Sequence, residues 1–142
     1  MLFRSLRGDA LMDSDDFEGA RDAYSAVLAV EPQDAEALTD RGYCWLELDD
    51  PAAALRDADA ALKSPEGAAE ARTRRLRGLA LLDAGDPAKA LKDLDLAVKL
   101  DPEDAISYHA RAEIQEALGN DRAAEIDRQR AAAMEALEED DE

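Results

Sequence analysis

Small apolar residues mark this chain at a fixed register. Glycine stands at 8, 42 and 78, and Ala112 takes the next step, at intervals of 34, 36 and 34 residues. Twelve residues after each mark comes an alanine: Ala20, Ala54, Ala90 and Ala124. Pro32 and Pro102 follow Gly8 and Gly78 by twenty-four residues, and Pro65 arrives one residue early in the unit between. Larger apolar side chains keep the same register. Leu11, Trp45 and Leu81 share one slot with Gln115, and Tyr24, Ala58 and Leu94 share another with Arg128. A period in the thirties is the mark of a stacked repeat, in which each unit buries its apolar face against its neighbour.

The pattern predicts helices near 2–14, 17–30, 35–48, 51–63, 68–83, 87–99, 104–118 and 121–138, in four antiparallel pairs. Asp50-Pro51 and Asp86-Pro87 each offer an N-cap followed by proline at the first helical position. Asp16, Asp34, Asp104 and Asn120 are further cap candidates, and Gly85 and Gly119 sit where a left-handed C-terminal cap falls. The repeated glycine lies inside helical pattern, where it costs about 0.5–1 kcal/mol relative to alanine. A cost repeated at one register implies close approach of a second helix, with the alanine twelve residues on as the facing surface. The two additional residues of the 36-residue step lie in Lys63-Ser-Pro-Glu-Gly67, read as a longer surface turn.

These marks resemble the tetratricopeptide repeat family. Units 1–34, 35–68, 71–104 and 105–138 each align to one repeat, so the resemblance covers nearly the whole chain as a single domain over 1–138. It implies an all-α fold: a right-handed α-solenoid of four helix-turn-helix repeats. It also implies a concave groove lined by the first helix of each repeat, where the family holds partner segments. The fourth unit is degenerate and polar. Arg122, Glu125, Arg128, Gln129 and Arg130 suit the outward face of a closing helix. Residues 138–142, which include the acidic tail over 139–142, are expected to fray.

Composition narrows the partners. The chain has 142 residues, 35 acidic against 17 basic, and a net charge of −18. Neither nucleic acid nor an anionic membrane surface is an expected partner, because both need a basic face. No apolar stretch approaches 18 residues, and Met1–Gly8 lacks the apolar run of a signal peptide. A cytoplasmic location is expected, and the single Cys44 fits a reducing compartment. With His109 as the only histidine, no histidine-based metal cluster can form. Neither a glycine-rich phosphate loop nor a nucleophile with a paired base is evident. No catalytic residue, metal or cofactor is expected.

Two constellations remain. Arginine precedes each small-residue mark, at Arg7, Arg41, Arg77 and Arg111, and sixteen residues beyond the last three lie Asp57, Asp93 and Asp127. The spacing predicts structural ion pairs between helices, within a unit or to its neighbour. The second constellation is the groove that the resemblance implies. Its residues include Tyr43, Arg72, Arg75, Leu79, Leu82 and His109, with Arg72 and Arg75 as a local basic spot beside apolar contacts. Some family members hold the C-terminal carboxylate of heat-shock chaperones with a five-residue clamp. The matching residues here are Ser5, Asp9, Asp40, Arg72 and Leu76. Only Arg72 keeps a clamp-like side chain, and two aspartates repel a carboxylate. The expected function is a non-enzymatic protein-interaction module whose partner carries an acidic group beside apolar anchors. The alternative is an assembly role through the end helices.

Overall fold

The computed structural model describes residues 15–140, and among these there are helices and turns but no strand. The first expected helix, with Gly8 and Arg7, lies outside the described residues. The remaining helices are α1 (Phe17–Val30), α2 (Ala35–Glu47), α3 (Pro51–Leu62), α4 (Pro65–Ala68), α5 (Ala71–Asp83), α6 (Pro87–Leu100), α7 (Ala105–Ala117) and α8 (Asp121–Asp140). Where the sequence suggests one domain, the chain divides between Ala69 and Glu70 into two compact units. The division falls two residues beyond the Lys63–Gly67 link.

Helix starts follow the caps. Asp16, Asp34, Asp50, Asp86 and Asp104 each accept a backbone N–H from the first turn of the helix they precede. The expected helix over 68–83 begins three residues later. Ser64 caps a one-turn helix, with Pro65 at its first position, and α5 then starts afresh after Glu70. The link is therefore helical rather than an open turn. Gly67 is buried against α3: a Cβ there would collide with the Ala61 carbonyl. Helix α8 runs through Glu138 and Glu139 to Asp140, into the residues expected to fray.

The turn inside each pair repeats one backbone solution. Asp15, Asp49, Gly85 and Gly119 all take positive φ, at 61°, 61°, 94° and 80°. After α2, α5 and α7 the next N–H returns to a carbonyl five residues back: Asp50 to Trp45, Asp86 to Leu81 and Asn120 to Gln115. This is the Schellman closure of a helix, which needs a left-handed residue just past its end. The two glycines are recognisable in sequence, whereas the aspartates at the same step are not. Aspartate tolerates the left-handed region better than most residues.

In the first unit α1 packs on α2 and α2 on α3. Leu28, Ala37, Leu38 and Ala61 form one core cluster there, and Ala20, Tyr24 and Cys44 another. In the second unit α5 packs on α6, α6 on α7 and α7 on α8, and α5 also reaches α7. Ala71, Ala90, Leu94, Ala97, Ala110 and Ile114 make its main core. The alanine marks are fully buried, and a Cβ added at Gly78 would collide with Leu94 Cδ2 and lie 3.2 Å from the Ala90 carbonyl oxygen. The repeated glycine and alanine are thus the two sides of one close helix crossing.

Candidate functional site

Each of the three arginines after Arg7 meets its aspartate through two parallel hydrogen bonds. Arg41 Nε and Nη2 donate to Asp57 at 2.7 Å each. Arg77 donates likewise to Asp93 at 2.9 Å each, and Arg111 to Asp127 at 2.8 and 2.9 Å. The fork of a guanidinium matches a carboxylate in this way, and such paired bonds are stronger than neutral ones. All three aspartates are buried. The bonds to Asp57 and Asp127 hold Arg41 and Arg111 above the ordinary arginine pKa, against the opposing effect of burial.

The outer nitrogen of two of these arginines reaches the helix before. Arg41 Nη1 donates to Ser25 Oγ at 3.3 Å, and Arg111 Nη1 to Asp95 Oδ1 at 3.2 Å. Both partners lie sixteen residues earlier, as Asp57 and Asp127 lie sixteen later. One arginine thereby stitches three consecutive helices: α1, α2 and α3 in the first unit, and α6, α7 and α8 in the second. Trp45 Nε1 also donates to Asp57 at 3.0 Å, and Arg21 lies 5.2 Å over the Trp45 ring. Arg74 adds a contact of 3.5 Å to Asp93.

The residues expected to line the groove are placed differently from one another. Tyr43 belongs to α2 in the first unit and is half-buried. Arg72, Arg75, Leu79 and Leu82 follow one another on α5, spaced three or four residues apart and so along one stripe. Arg72, Leu79 and Leu82 are half-buried, the two leucines resting partly on the α5–α6–α7 core. Arg75 departs from the exposed basic spot expected of it. It is buried, ion-paired with Asp104, and its Nη1 donates to Ser107 Oγ at 3.3 Å. Asp104 also accepts the Ser107 hydroxyl at 2.7 Å and caps α7 through the Ile106 N–H. A cation fully engaged with a helix cap stabilises the α5–α7 contact and offers no face to a ligand. His109 is exposed on α7, with Nε2 2.6 Å from Glu135 Oε1 on α8.

Of the five clamp positions, Ser5 and Asp9 lie outside the described residues. Asp40 and Leu76 are both buried, and of the described three only Arg72 is half-buried. Among the described residues no group of histidine, cysteine and carboxylates is arranged to hold a metal ion, and no helix is long and apolar enough to cross a membrane.

Two family models, both described as tetratricopeptide repeat, match residues 5–72 and 71–104. The chain belongs to the tetratricopeptide repeat family. Solved structures agree in fold. MamA from Desulfovibrio magneticus RS-1 aligns with TM-score 0.76 at 23% identity, over 92% of this chain and 72% of that one. The first tetratricopeptide repeat domain of Spaghetti (RPAP3), bound to the HSP90 peptide SRMEEVD, aligns with TM-score 0.74 at 20% identity, over 83% and 92%. Among curated proteins, subunit 4 of the outer dynein arm-docking complex from Xenopus laevis is 34% identical over 56 residues. Those residues are 39% of this chain and 10% of that relative, so the match spans about a tenth of the relative's length.

Within a tetratricopeptide repeat read from sequence, the Arg–Asp spacing can be found because it recurs three times. The Arg75–Asp104–Ser107 cluster occurs once, in the second unit, and no periodicity announces it. Ser25 and Asp95 differ in kind, so their shared step of sixteen is visible only once the geometry is known.

Proposed function

We propose that this protein is a non-enzymatic interaction module that holds a segment of another protein against the α5 stripe. The observation that carries the reading is the stripe itself: a half-buried cation, Arg72, followed on the same face by half-buried Leu79 and Leu82. A segment with a carboxylate and one or two apolar side chains matches that order. Membership of the tetratricopeptide repeat family supports it. So do the ligands of two proteins of like fold: the HSP90 peptide SRMEEVD on the first repeat domain of Spaghetti (RPAP3), and the HSP70 peptide SGPTIEEVD on the second repeat domain of human RPAP3, each joining acidic to apolar residues. Chaperone C-termini are not the proposed ligands, because Asp40 and Leu76 are buried where a clamp needs exposed donors.

The test uses fluorescent ten-residue peptides with one or two carboxylates and one leucine at varied spacing, titrated against wild type, Arg72→Ala and Leu82→Ser. Binding by one spacing is expected, weakened at least fivefold in Arg72→Ala and weakened further by salt. Equal affinity for wild type and Arg72→Ala, without salt dependence, overturns Arg72 as the charged anchor. Arg75 is left intact, since its removal would strand Asp104 and confuse folding with binding.

A further inference from the structure

Helix α8 has twenty residues against twelve to fourteen in α1, α2, α3, α5, α6 and α7. Only one side of it is covered: Ala124, Asp127 and Ala131 are buried. From Glu135 to Asp140 every residue is exposed. The open side carries Arg122, Ile126, Arg130, Ala133, Leu137 and Asp140, all exposed and within one stripe at helical spacing. Ile126 and Leu137 are 42% and 66% exposed, which leaves two large apolar side chains on the stripe in water. Arg122 and Ile126 also line an open depression with Gly119, Asn120, Asp121 and Ala123.

The charges at the C-terminal end of α8 run against its own dipole. Its last turn holds Glu138, Glu139 and Asp140 and no basic residue, although a helix C-terminus favours cations. In the first turn the cation Arg122 follows Asp121, whose charge suits that end. An antiparallel neighbour with the same sequence brings its Arg122 to the acidic end. We infer that the exposed stripe of α8 docks antiparallel on the same stripe of a second copy of this chain. In that pairing Ile126 meets Leu137 of the second copy, and Arg122 meets its Asp140. Both pairs are centred on the same turn, at Ala131 and Ala132, so a single two-fold axis satisfies them together. Ala133 beside the axis lets the helices approach closely, and Leu137 fills the depression beside Ile126. A two-fold contact makes each interaction twice.

The contact is one helix wide, smaller than a standard interface, and two chains of net charge −18 repel. The dimer is therefore weak, with a dissociation constant on the order of 100 μM near physiological salt. It forms more readily as salt screens the net repulsion.

Sedimentation velocity over protein concentrations from low micromolar to about 1 mM tests this, with helix content followed by circular dichroism. Wild type is expected to shift from monomer to dimer. Ile126→Glu and Leu137→Glu should each raise the dissociation constant at least tenfold with helix content unchanged. Arg122→Asp and Asp140→Arg should each weaken dimerisation, and the double variant Arg122→Asp/Asp140→Arg should restore it to within about threefold. Both charge changes favour the helix dipole, so their weakening cannot arise from unfolding. Monomer at every concentration overturns the proposal, as does a dimer insensitive to Ile126→Glu and Leu137→Glu. Failure of the charge-swapped double variant to recover overturns the antiparallel register. The α5 stripe takes no part in this contact, so the peptide titrations fail or succeed separately.

Discussion

At Gly78 a methyl group has nowhere to go. Leu94, which it would meet, is fully buried, and the other near atom is the backbone carbonyl of Ala90. Gly78→Ala gains helix propensity of at most about 1 kcal/mol but overpacks the crossing by about 1–3 kcal/mol. A net loss of stability in urea unfolding is expected, and a gain would show that the helices can separate there at little cost. The neighbouring Arg77 gives a second case. Arg77→Ala strands the buried carboxylate of Asp93, whose side chain is 3% exposed. Breaking a buried pair costs about 3–5 kcal/mol, reduced here to about 2 kcal/mol because Arg77 keeps contact with water and Arg74 stays near the same carboxylate. A loss no larger than that of an exposed surface substitution, about 0.5 kcal/mol, would show that Asp93 finds a substitute partner. The sixteen-residue spacing is readable in sequence because two helical segments and a fixed turn intervene each time. Arg75 is not legible in the same way, because its carboxylate partner is Asp104, twenty-nine positions on and already engaged as a cap.

At the scale of the element, boundaries follow local chemistry where that chemistry is strong. Every described helix whose preceding residue is aspartate or serine with a capping bond starts at the next position. Helix α5 is the exception among α1 to α7: Glu70 precedes it and makes no side-chain cap. Glutamate is a poor N-cap, and the expected start at 68 misses by three residues because no cap marks it. Glu70→Ser should add a cap and stabilise the protein by about 0.5–1 kcal/mol, read as a higher urea midpoint. An unchanged midpoint would show that the first turn of α5 is already satisfied. The turns give a parallel case. Asp49 holds φ 61° where Gly85 and Gly119 serve in the second unit. Asp49→Gly removes the left-handed strain of a Cβ and should stabilise by about 0.5–1 kcal/mol. No gain would mean that the extra freedom of glycine in the unfolded chain offsets the relief.

At the scale of the whole molecule, charge dominates. With 35 acidic residues against 17 basic, the described ion pairs leave many exposed carboxylates unmatched. Self-repulsion on this scale destabilises a compact state, and salt relieves it. Raising sodium chloride from about 20 to 300 mM is therefore expected to raise the thermal midpoint by a few degrees. A fall would show that the partly exposed arginine pairs outweigh the repulsion. Fold class was open to reading at this scale because small residues at helix crossings must recur wherever the crossings recur. The division after Ala69 was not. The Ser64-to-Glu70 segment joins two alanines and two glutamates to its proline, serine and glycine, and no shift in composition marks a boundary after Ala69.

Trp45 has a use beyond packing. It is the sole tryptophan of the chain, its indole N–H donates to Asp57, and Arg21 covers its ring. Its emission is thus an optical gauge of the seam that Arg41 closes in the first unit. Arg41→Ala should move that emission, while Arg111→Ala, which cuts the corresponding seam in the second unit, should leave it where it was. One fluorophore, placed by the repeat itself, makes half of the molecule visible and leaves the other half dark.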